Sequence, residues 1–172
     1  EELHKIVDDI LLNSVCSVCG ENDVRTLDFH HRNAETKRYT IGMMKKLSVS
    51  IKSLLAEIDK CDVLCANCHI LHTVATRYSR GIRKESPLKE QLVVDDYIDA
   101  NGPCKLCGES NRKLLVFHHR NPDIKVSSLS DLVSSHRRRE VLVAEMDKCD
   151  ILCHNCHRKI HTPIRVYDST DE

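Results

Sequence analysis

Aromatic side chains are scarce in this sequence, which has no Trp, two Phe and an aromatic content of 3 %. Aromatic rings supply much of the apolar area that a core buries, so their scarcity argues against one large packed core. A chain of 172 residues accommodates one large domain or two small ones. We therefore expect small domains whose cohesion comes from another source, such as bound metal.

Net charge and long apolar runs are missing as well. The 26 basic and 26 acidic side chains cancel, so attraction to phosphate must come from local basic clusters. No apolar run is long enough to span a bilayer, and the first residues do not resemble a secretory signal. We expect a cytoplasmic protein that is not secreted and has no membrane partner, in which thiolate ligands are favoured over disulfides.

Cysteine and histidine are abundant by contrast, with ten Cys and eleven His. They recur at a period of 88 residues, which relates Cys16 to Cys104 and the pair His30-His31 to His118-His119. Matches at one period over most of a chain indicate two copies of one unit. We predict copy one at residues 1–80, a linker at 81–87 and copy two at 88–172.

Local patterns predict an α+β unit in each copy, with a polar loop after the His-His-Arg-Asn motif. Pro87 before one helix and Gly102 after it are typical helix punctuation. The predicted elements are helices at 3–13, 50–60, 88–100 and 139–148, strands at 25–29, 62–64 and 114–117, and a last helix that carries the final histidines of each copy.

Two Cys-x-x-Cys pairs in each copy match the ligand set of structural zinc. Four thiolates in two tight turns fit tetrahedral coordination, and the repeated spacing favours zinc over buried or disulfide-linked cysteines. Cys61 and Cys149 are surplus, and we interpret them as small buried side chains. The predicted zinc ligands are Cys16, Cys19, Cys65 and Cys68 in copy one and Cys104, Cys107, Cys153 and Cys156 in copy two.

The histidines predict a second kind of metal site. His157 and His161 are four residues apart and His69 and His72 are three apart, so each pair shares one helix face. One histidine from the strand pair adds a third nitrogen, and such a site leaves coordination positions open, as catalytic metal sites do. The alternative is a set of solvated histidines beside a zinc finger.

Adjacent histidines on a strand also suit hydrolysis. Neighbours on a regular strand point to opposite faces, so one imidazole can bind metal while the other stands free to take a proton from water. A cation meanwhile stabilises charge on a phosphoryl oxygen and on the leaving oxygen. Together these groups are typical of phosphodiester hydrolysis.

These motifs resemble those of the HNH endonuclease family, whose site is a ββα-metal hairpin and helix. The resemblance is to the subtype with Cys-x-x-Cys, Phe-His-His-Arg-Asn, Glu-x-Asp-Lys-Cys-x-x-Leu-Cys-x-Asn-Cys-His and a final His, over residues 14–74 and 102–163. It implies two tandem, small, zinc-stabilised ββα-metal domains that are treble-clef-like. It also implies a metal-dependent DNA endonuclease with two structural Zn²⁺ sites and Mg²⁺, Mn²⁺ or another divalent ion at each catalytic site.

The resemblance assigns roles to individual residues. The second histidine of each strand pair, His31 or His119, would be the general base. The ligands of the catalytic ion would be His30, His69 and His72 in copy one and His118, His157 and His161 in copy two. Copy one has one residue fewer between its last two histidines, so copy two is the closer match.

The central Asn of the family motif has no direct counterpart. It orients the base from about nine residues before the ligand histidine, where this chain has Lys60 and Lys148. Asn67 and Asn155 either take over this catalytic role or only shape the zinc knuckle.

Local basic clusters predict the DNA-binding surface, with a solvated charged face as the alternative. The residues concerned are Arg77, Arg80, Arg83, Lys84, Arg137, Arg138, Arg139, Arg158 and Lys159. The expected partner is double-stranded DNA, cut by a monomer with a pseudo-twofold repeat or by a homodimer. The expected setting is a bacterial or phage-infected cell, as for a homing-type or other mobile-element nuclease.

Two other functions stay open from the sequence. One is a non-catalytic or half-active tandem zinc module that binds nucleic acid, which the missing central Asn favours. The other is a disulfide-rich secreted domain, which the lack of a signal argues against.

Overall fold

The computed structural model describes residues 2–47, 49–79 and 89–163, with only the backbone described for residues 77–79. The predicted linker at 81–87 lies outside these ranges. Within them, no helix combines the length and the apolarity that crossing a membrane requires.

The same order of elements occurs twice. Copy one contains α1 (Glu2–Leu12), β1 (Leu27–His31), α2 (Ile41–Met44), α3 (Ile51–Ile58), β2 (Cys61–Cys65) and α4 (Ala66–Ser79). Copy two contains α5 (Lys89–Asn101), β3 (Leu115–His119), α6 (Leu129–Ser134), α7 (Arg139–Met146), β4 (Cys149–Cys153) and α8 (His154–His161). The α+β class is confirmed, and each copy is a two-stranded hairpin followed directly by a helix.

Each hairpin carries the His-His pair within its ladder. β1 and β2 pair antiparallel from Leu27 opposite Cys65 to His31 opposite Cys61, and β3 pairs with β4 in the same register. The sequence predicted strands at 25–29 and 114–117 that lead into the two histidines, and it treated the two histidines as strand neighbours. Both histidines lie within the strand, so backbone hydrogen bonds fix their Cα positions opposite the surplus cysteine and the aspartate that follows it.

The predicted polar loop after each His-His pair contains a short helix. Thr40 caps α2 by accepting a hydrogen bond from the N–H of Met43, and Ser128 caps α6 in the same way. Ile41 on α2 and Leu132 on α6 are buried. A capping hydroxyl followed by a buried aliphatic residue therefore makes a helical turn from a stretch whose composition is polar.

The core behind each hairpin is small and aliphatic. Val7 and Leu11 of α1 pack with Leu54 of α3 and Leu64 of β2, and the equivalent layer in copy two comes from α5, α7 and β4. Both Phe residues are only partly buried against these clusters. The cores are as small as the composition predicts, so we expect bound metal to contribute to the stability of each copy.

The residues form two compact units by their contacts. Unit 1 comprises Glu1–His69 and Arg158–Glu172, and unit 2 comprises Ile70–His157. The boundaries fall inside α4 and α8, so each of these continuous helices belongs to both units.

Candidate metal centres

Four thiols meet in each copy. The sulfurs of Cys16, Cys19, Cys65 and Cys68 lie within 4.8 Å of one another, as do those of Cys104, Cys107, Cys153 and Cys156. Cys19 Sγ and Cys65 Sγ are 3.7 Å apart, and the equivalent pair in copy two has the same separation. Bonds of about 2.3 Å to a tetrahedral zinc place two sulfurs roughly 3.8 Å apart. Both groups therefore fit structural zinc, and the two modules are consistent with a treble-clef-like architecture.

Backbone geometry prepares these cysteines for a metal. Gly20 has a φ of +76°, a region that favours glycine, and its N–H donates to the carbonyl of Cys16 at 2.9 Å. Burial opposes the thiolate of Cys16, but backbone N–H donors that include Cys65 outweigh it and lower the pKa of Cys16 to about 6. The same balance lowers the pKa of Cys104 to about 7. A lowered thiol pKa favours the form that binds zinc.

The surplus cysteines belong to neither group. Cys61 Sγ donates to the carbonyl oxygen of Glu57 at 3.5 Å, and Cys149 Sγ donates to that of Glu145 at 3.4 Å. Burial, with the nearby glutamate charge, raises the pKa of each thiol to about 11. Both are therefore neutral thiols near pH 7.

Three histidines of copy two converge. The ring nitrogens of His118, His157 and His161 lie within 4.8 Å of one another, and the rings of His118 and His157 meet edge to face at 5.3 Å. His118 is the fourth residue of β3, and the other two are one turn apart on α8. His161 is exposed and the others are half-buried. The set offers three imidazoles to a cation and leaves further coordination positions to solvent.

Copy one does not reproduce this triad. The ring centroids of His30 and His69 are 4.8 Å apart. In the described part of the chain, however, His72 belongs to no group of three ligand atoms that lie within 4.8 Å of one another. At 3.6 residues per turn, a residue at i+3 is rotated roughly 100° from one at i+4. Copy one has one residue fewer between its last two histidines. The side chain of His72 therefore points in a different direction from that of His161.

An acidic residue stands beside the copy-one histidines instead. Asp28 Oδ2 is 3.7 Å from His69 Nδ1 and 2.5 Å from Arg158 Nη2, all within unit 1. Burial raises the pKa of Asp28, but His69 and Arg158 together lower it below its usual value. The equivalent residue in copy two is Val116. The two copies thus differ in charge at the strand position that lies beside His69 in copy one.

The predicted general bases are held by a buried carboxylate. His31 Nε2 is 2.9 Å from Glu57 Oε1, and His119 Nε2 is 2.7 Å from Glu145 Oε1. The histidine side chains are only 7 % and 12 % exposed. The sequence suggested an imidazole that is free of metal and takes a proton from water, and it did not suggest this contact, in which the helix before the second strand brings a glutamate against the ring.

This glutamate is the feature that the sequence interpretation missed. Burial raises the pKa of Glu57, but hydrogen bonds from Lys60, the Arg38 N–H and His31 outweigh it and lower the pKa to about 2. The pKa of Glu145 is lowered to about 2 in the same way. A signal was present in the Glu-x-Asp-Lys sequence, which occurs in both copies at the 88-residue period.

The Asn candidates lie at the start of the helix that directly follows each hairpin. Asn67 and Asn155 occupy the first turns of α4 and α8, next to the second cysteine pair, and Asn155 is buried. Lys60 and Lys148 occupy the place of the central Asn, and each Nζ lies 2.7 Å from the Oε2 of the buried glutamate.

The predicted DNA-binding residues have different environments. Arg137, Arg138 and Arg139 are exposed. Lys159 Nζ lies 3.1 Å from Glu21 Oε2, and Arg158 is paired with Asp28, so acidic groups of unit 1 offset both charges. Arg77 lies on α4 with its side chain not described, and Arg80, Arg83 and Lys84 fall outside the described residues.

Comparison of the chain with known protein families, curated proteins and solved structures finds no match.

Proposed function

We propose that this chain is a metal-dependent endonuclease that hydrolyses DNA phosphodiester bonds in copy two, as a ββα-metal enzyme of the HNH kind. The observation that carries the proposal is the convergence of His118, His157 and His161 within 4.8 Å. The three come from one hairpin and the helix that directly follows it, which is the arrangement that the resemblance implies.

The donor chemistry fits a catalytic divalent ion. His118, His157 and His161 would hold it, and imidazole donors favour transition-metal ions over Mg²⁺. A bound ion supplies positive charge that stabilises the phosphoryl oxygen and the leaving oxygen in the transition state. We therefore expect activity with Mn²⁺ or a later divalent ion at lower concentrations than with Mg²⁺.

His119 follows the ligand His118 on β3 and serves as the general base. A general base must lie within reach of the water that attacks phosphorus, and its ring must be held in one orientation. The bond of 2.7 Å to Glu145 supplies that orientation. His119 also lines an open cavity of about 470 Å³ together with Lys125, whose charge suits an approaching phosphate. Arg112 lines the same cavity, but its charge is offset by Asp95 and Asp99.

Copy one is proposed to bind DNA without cleaving it. His72 lies outside the histidine group, and Asp28 and Arg158 form an ion pair beside His69. These two observations favour the half-active alternative over two equal catalytic sites. A monomer with one active copy produces nicks rather than double-strand breaks.

The test is cleavage of supercoiled plasmid by the intact, zinc-loaded chain with Mn²⁺, Mg²⁺ or Co²⁺. We expect open-circular product from the wild type and from His31→Ala, and a loss of about 100-fold or more in His119→Ala. No nicking by folded protein with any ion contradicts the proposed activity. Equal losses in the two variants contradict the assignment of catalysis to copy two.

A further inference from the structure

A buried carboxylate lies behind the proposed base of copy two. Glu145 is 2 % exposed, and its Oε1 lies 2.7 Å from His119 Nε2 while also accepting the N–H of Val126 at 3.0 Å. Its Oε2 accepts a hydrogen bond from Lys148 Nζ at 2.7 Å. Both carboxylate oxygens of Glu145 therefore have hydrogen-bond partners, which favours the ionised form of a buried carboxylate.

Copy one contains the same arrangement. Glu57 is 2 % exposed, and it accepts hydrogen bonds from Lys60 Nζ at 2.7 Å and from the N–H of Arg38 at 2.8 Å. Its Oε1 is 2.9 Å from His31 Nε2. Each lysine also donates to a carbonyl oxygen in the segment after the His-His pair, at 3.1 Å in copy one and 3.3 Å in copy two. The lysine thus fixes the glutamate from the side opposite the histidine.

The carboxylate determines which ring nitrogen carries the proton. An ionised carboxylate only accepts hydrogen bonds, so His119 Nε2 must donate. A neutral imidazole that is protonated on Nε2 has its lone pair on Nδ1. Among the described residues, no hydrogen bond engages Nδ1 of His119.

We propose that Glu145 and Lys148 are positioning residues that hold His119 as the Nε2–H tautomer and leave Nδ1 to accept the proton of the attacking water. This inference rests on the proposed function. As the water oxygen bonds to phosphorus, its proton moves to Nδ1 and the bond from phosphorus to the leaving sugar oxygen breaks. The leaving oxygen takes up a proton from solvent.

The proposal also accounts for the missing central Asn. Lys148 occupies that position of the motif and reaches the base through Glu145 instead of contacting it directly. A Lys–Glu pair therefore supplies the orienting contact that the family motif obtains from an amide. The carboxylate can only accept, whereas an amide both donates and accepts, so the pair selects one tautomer.

The tautomer is measurable without any activity. Two-bond ¹H–¹⁵N correlation spectra of the ¹⁵N-histidine-labelled, zinc-loaded protein near neutral pH report which ring nitrogen is protonated. The His119 signals are identified by their loss in His119→Asn. The expected result is a neutral ring protonated on Nε2. A ring protonated on Nδ1, or on both nitrogens, overturns the proposal.

Substitution of the carboxylate tests its part in turnover. In Glu145→Gln, one amide orientation places the NH₂ group against Lys148, and the other places it against His119 and the Val126 N–H. Neither orientation satisfies all the donors, so the side chain no longer fixes the tautomer of His119. We expect kcat for nicking to fall roughly 100-fold with KM for DNA unchanged. The matched change Glu57→Gln in the non-cleaving copy leaves the rate at the wild-type value. Lys148→Arg keeps more activity than Lys148→Met, because only arginine retains a positively charged donor beside Glu145 Oε2.

Zinc content and thermal unfolding of each variant separate positioning from folding. A folded Glu145→Gln protein with wild-type kcat overturns the proposal. If that variant does not fold, the wild-type spectrum still decides. If the wild type cleaves no DNA, the proposed function fails, and the tautomer measurement independently upholds or rejects the positioning of His119.

Discussion

His119 Nε2 and Glu145 Oε1 lie 2.7 Å apart, with side chains that are 12 % and 3 % exposed. The two residues are 26 positions apart in sequence, and the hairpin and α7 bring them together. A carboxylate at this distance, itself held by Lys148, gives the ring one orientation and one tautomer. The arrangement recurs between His31 and Glu57, so it belongs to the repeated unit as well as to the proposed active copy.

The first prediction concerns the pH dependence of this contact. The pKa of Glu145 is lowered from 4.5 to about 2, against the effect of burial, by Lys148, His119 and the Val126 N–H. A lowered carboxyl pKa adds stability above the unfolded value, and this stability is lost as the pH falls toward the folded value. We expect Glu145→Gln to be about 2 kcal/mol less stable than the wild type at pH 7. This difference in the free energy of unfolding between the variant and the wild type should become smaller as the pH falls below about 4.5.

Urea unfolding at a series of pH values measures that gap. Glu140→Gln is a suitable control because Glu140 lies on the same helix but is exposed, so its effect should be small and flat with pH. A gap between Glu145→Gln and the wild type that stays constant down to pH 3 would show that the carboxylate is not specially stabilised.

The second prediction concerns zinc. We expect two zinc ions per chain, with one lost in Cys104→Ser and both retained in Cys149→Ala, because Cys149 lies outside the four-cysteine group. Loss of a structural zinc removes folding free energy directly, so Cys104→Ser should also unfold at a lower temperature. Elemental analysis of purified protein gives the count. Loss of zinc from Cys149→Ala would mean that the coordination differs from the four-cysteine assignment.

The third prediction concerns DNA binding. Arg138 is exposed, whereas Lys159 lies 3.1 Å from Glu21 Oε2 and 3.7 Å from Asp23 Oδ2. A lysine that already has acidic partners releases fewer counterions on meeting phosphate. We expect Arg138→Ala to reduce the slope of log K against log salt by about 1, and Lys159→Ala to change it little. Equal reductions would place Lys159 on the DNA-binding surface.

Features with local signals were predictable from the sequence. The sulfur sites follow from two tight Cys-x-x-Cys turns, and the approach of His161 to His157 follows from their four-residue spacing on one helix. The short helices α2 and α6 also had a local signal in the caps Thr40 and Ser128, which a polar composition concealed.

Contacts between distant residues were not predictable in the same way. A glutamate on an amphipathic helix ordinarily faces water, and only the fold shows Glu57 buried against His31. Arg158 and Lys159 suggested a phosphate site because two adjacent basic residues have no acidic neighbour in the local sequence. Their acidic partners are more than a hundred positions away, and Arg158 and Asp28 are separated by 130. Charge that is offset by a remote partner leaves no pattern in a local sequence window.

The most direct test of the central claim is the rate of plasmid nicking as a function of Mn²⁺ concentration in His161→Ala and His72→Ala. The two residues are counterparts in the repeat, but only His161 lies within 4.8 Å of two other imidazoles. We predict that His161→Ala needs far more Mn²⁺ and nicks at least about 100-fold more slowly at a fixed concentration, while His72→Ala matches the wild type. Wild-type nicking by His161→Ala at every Mn²⁺ concentration would contradict the account.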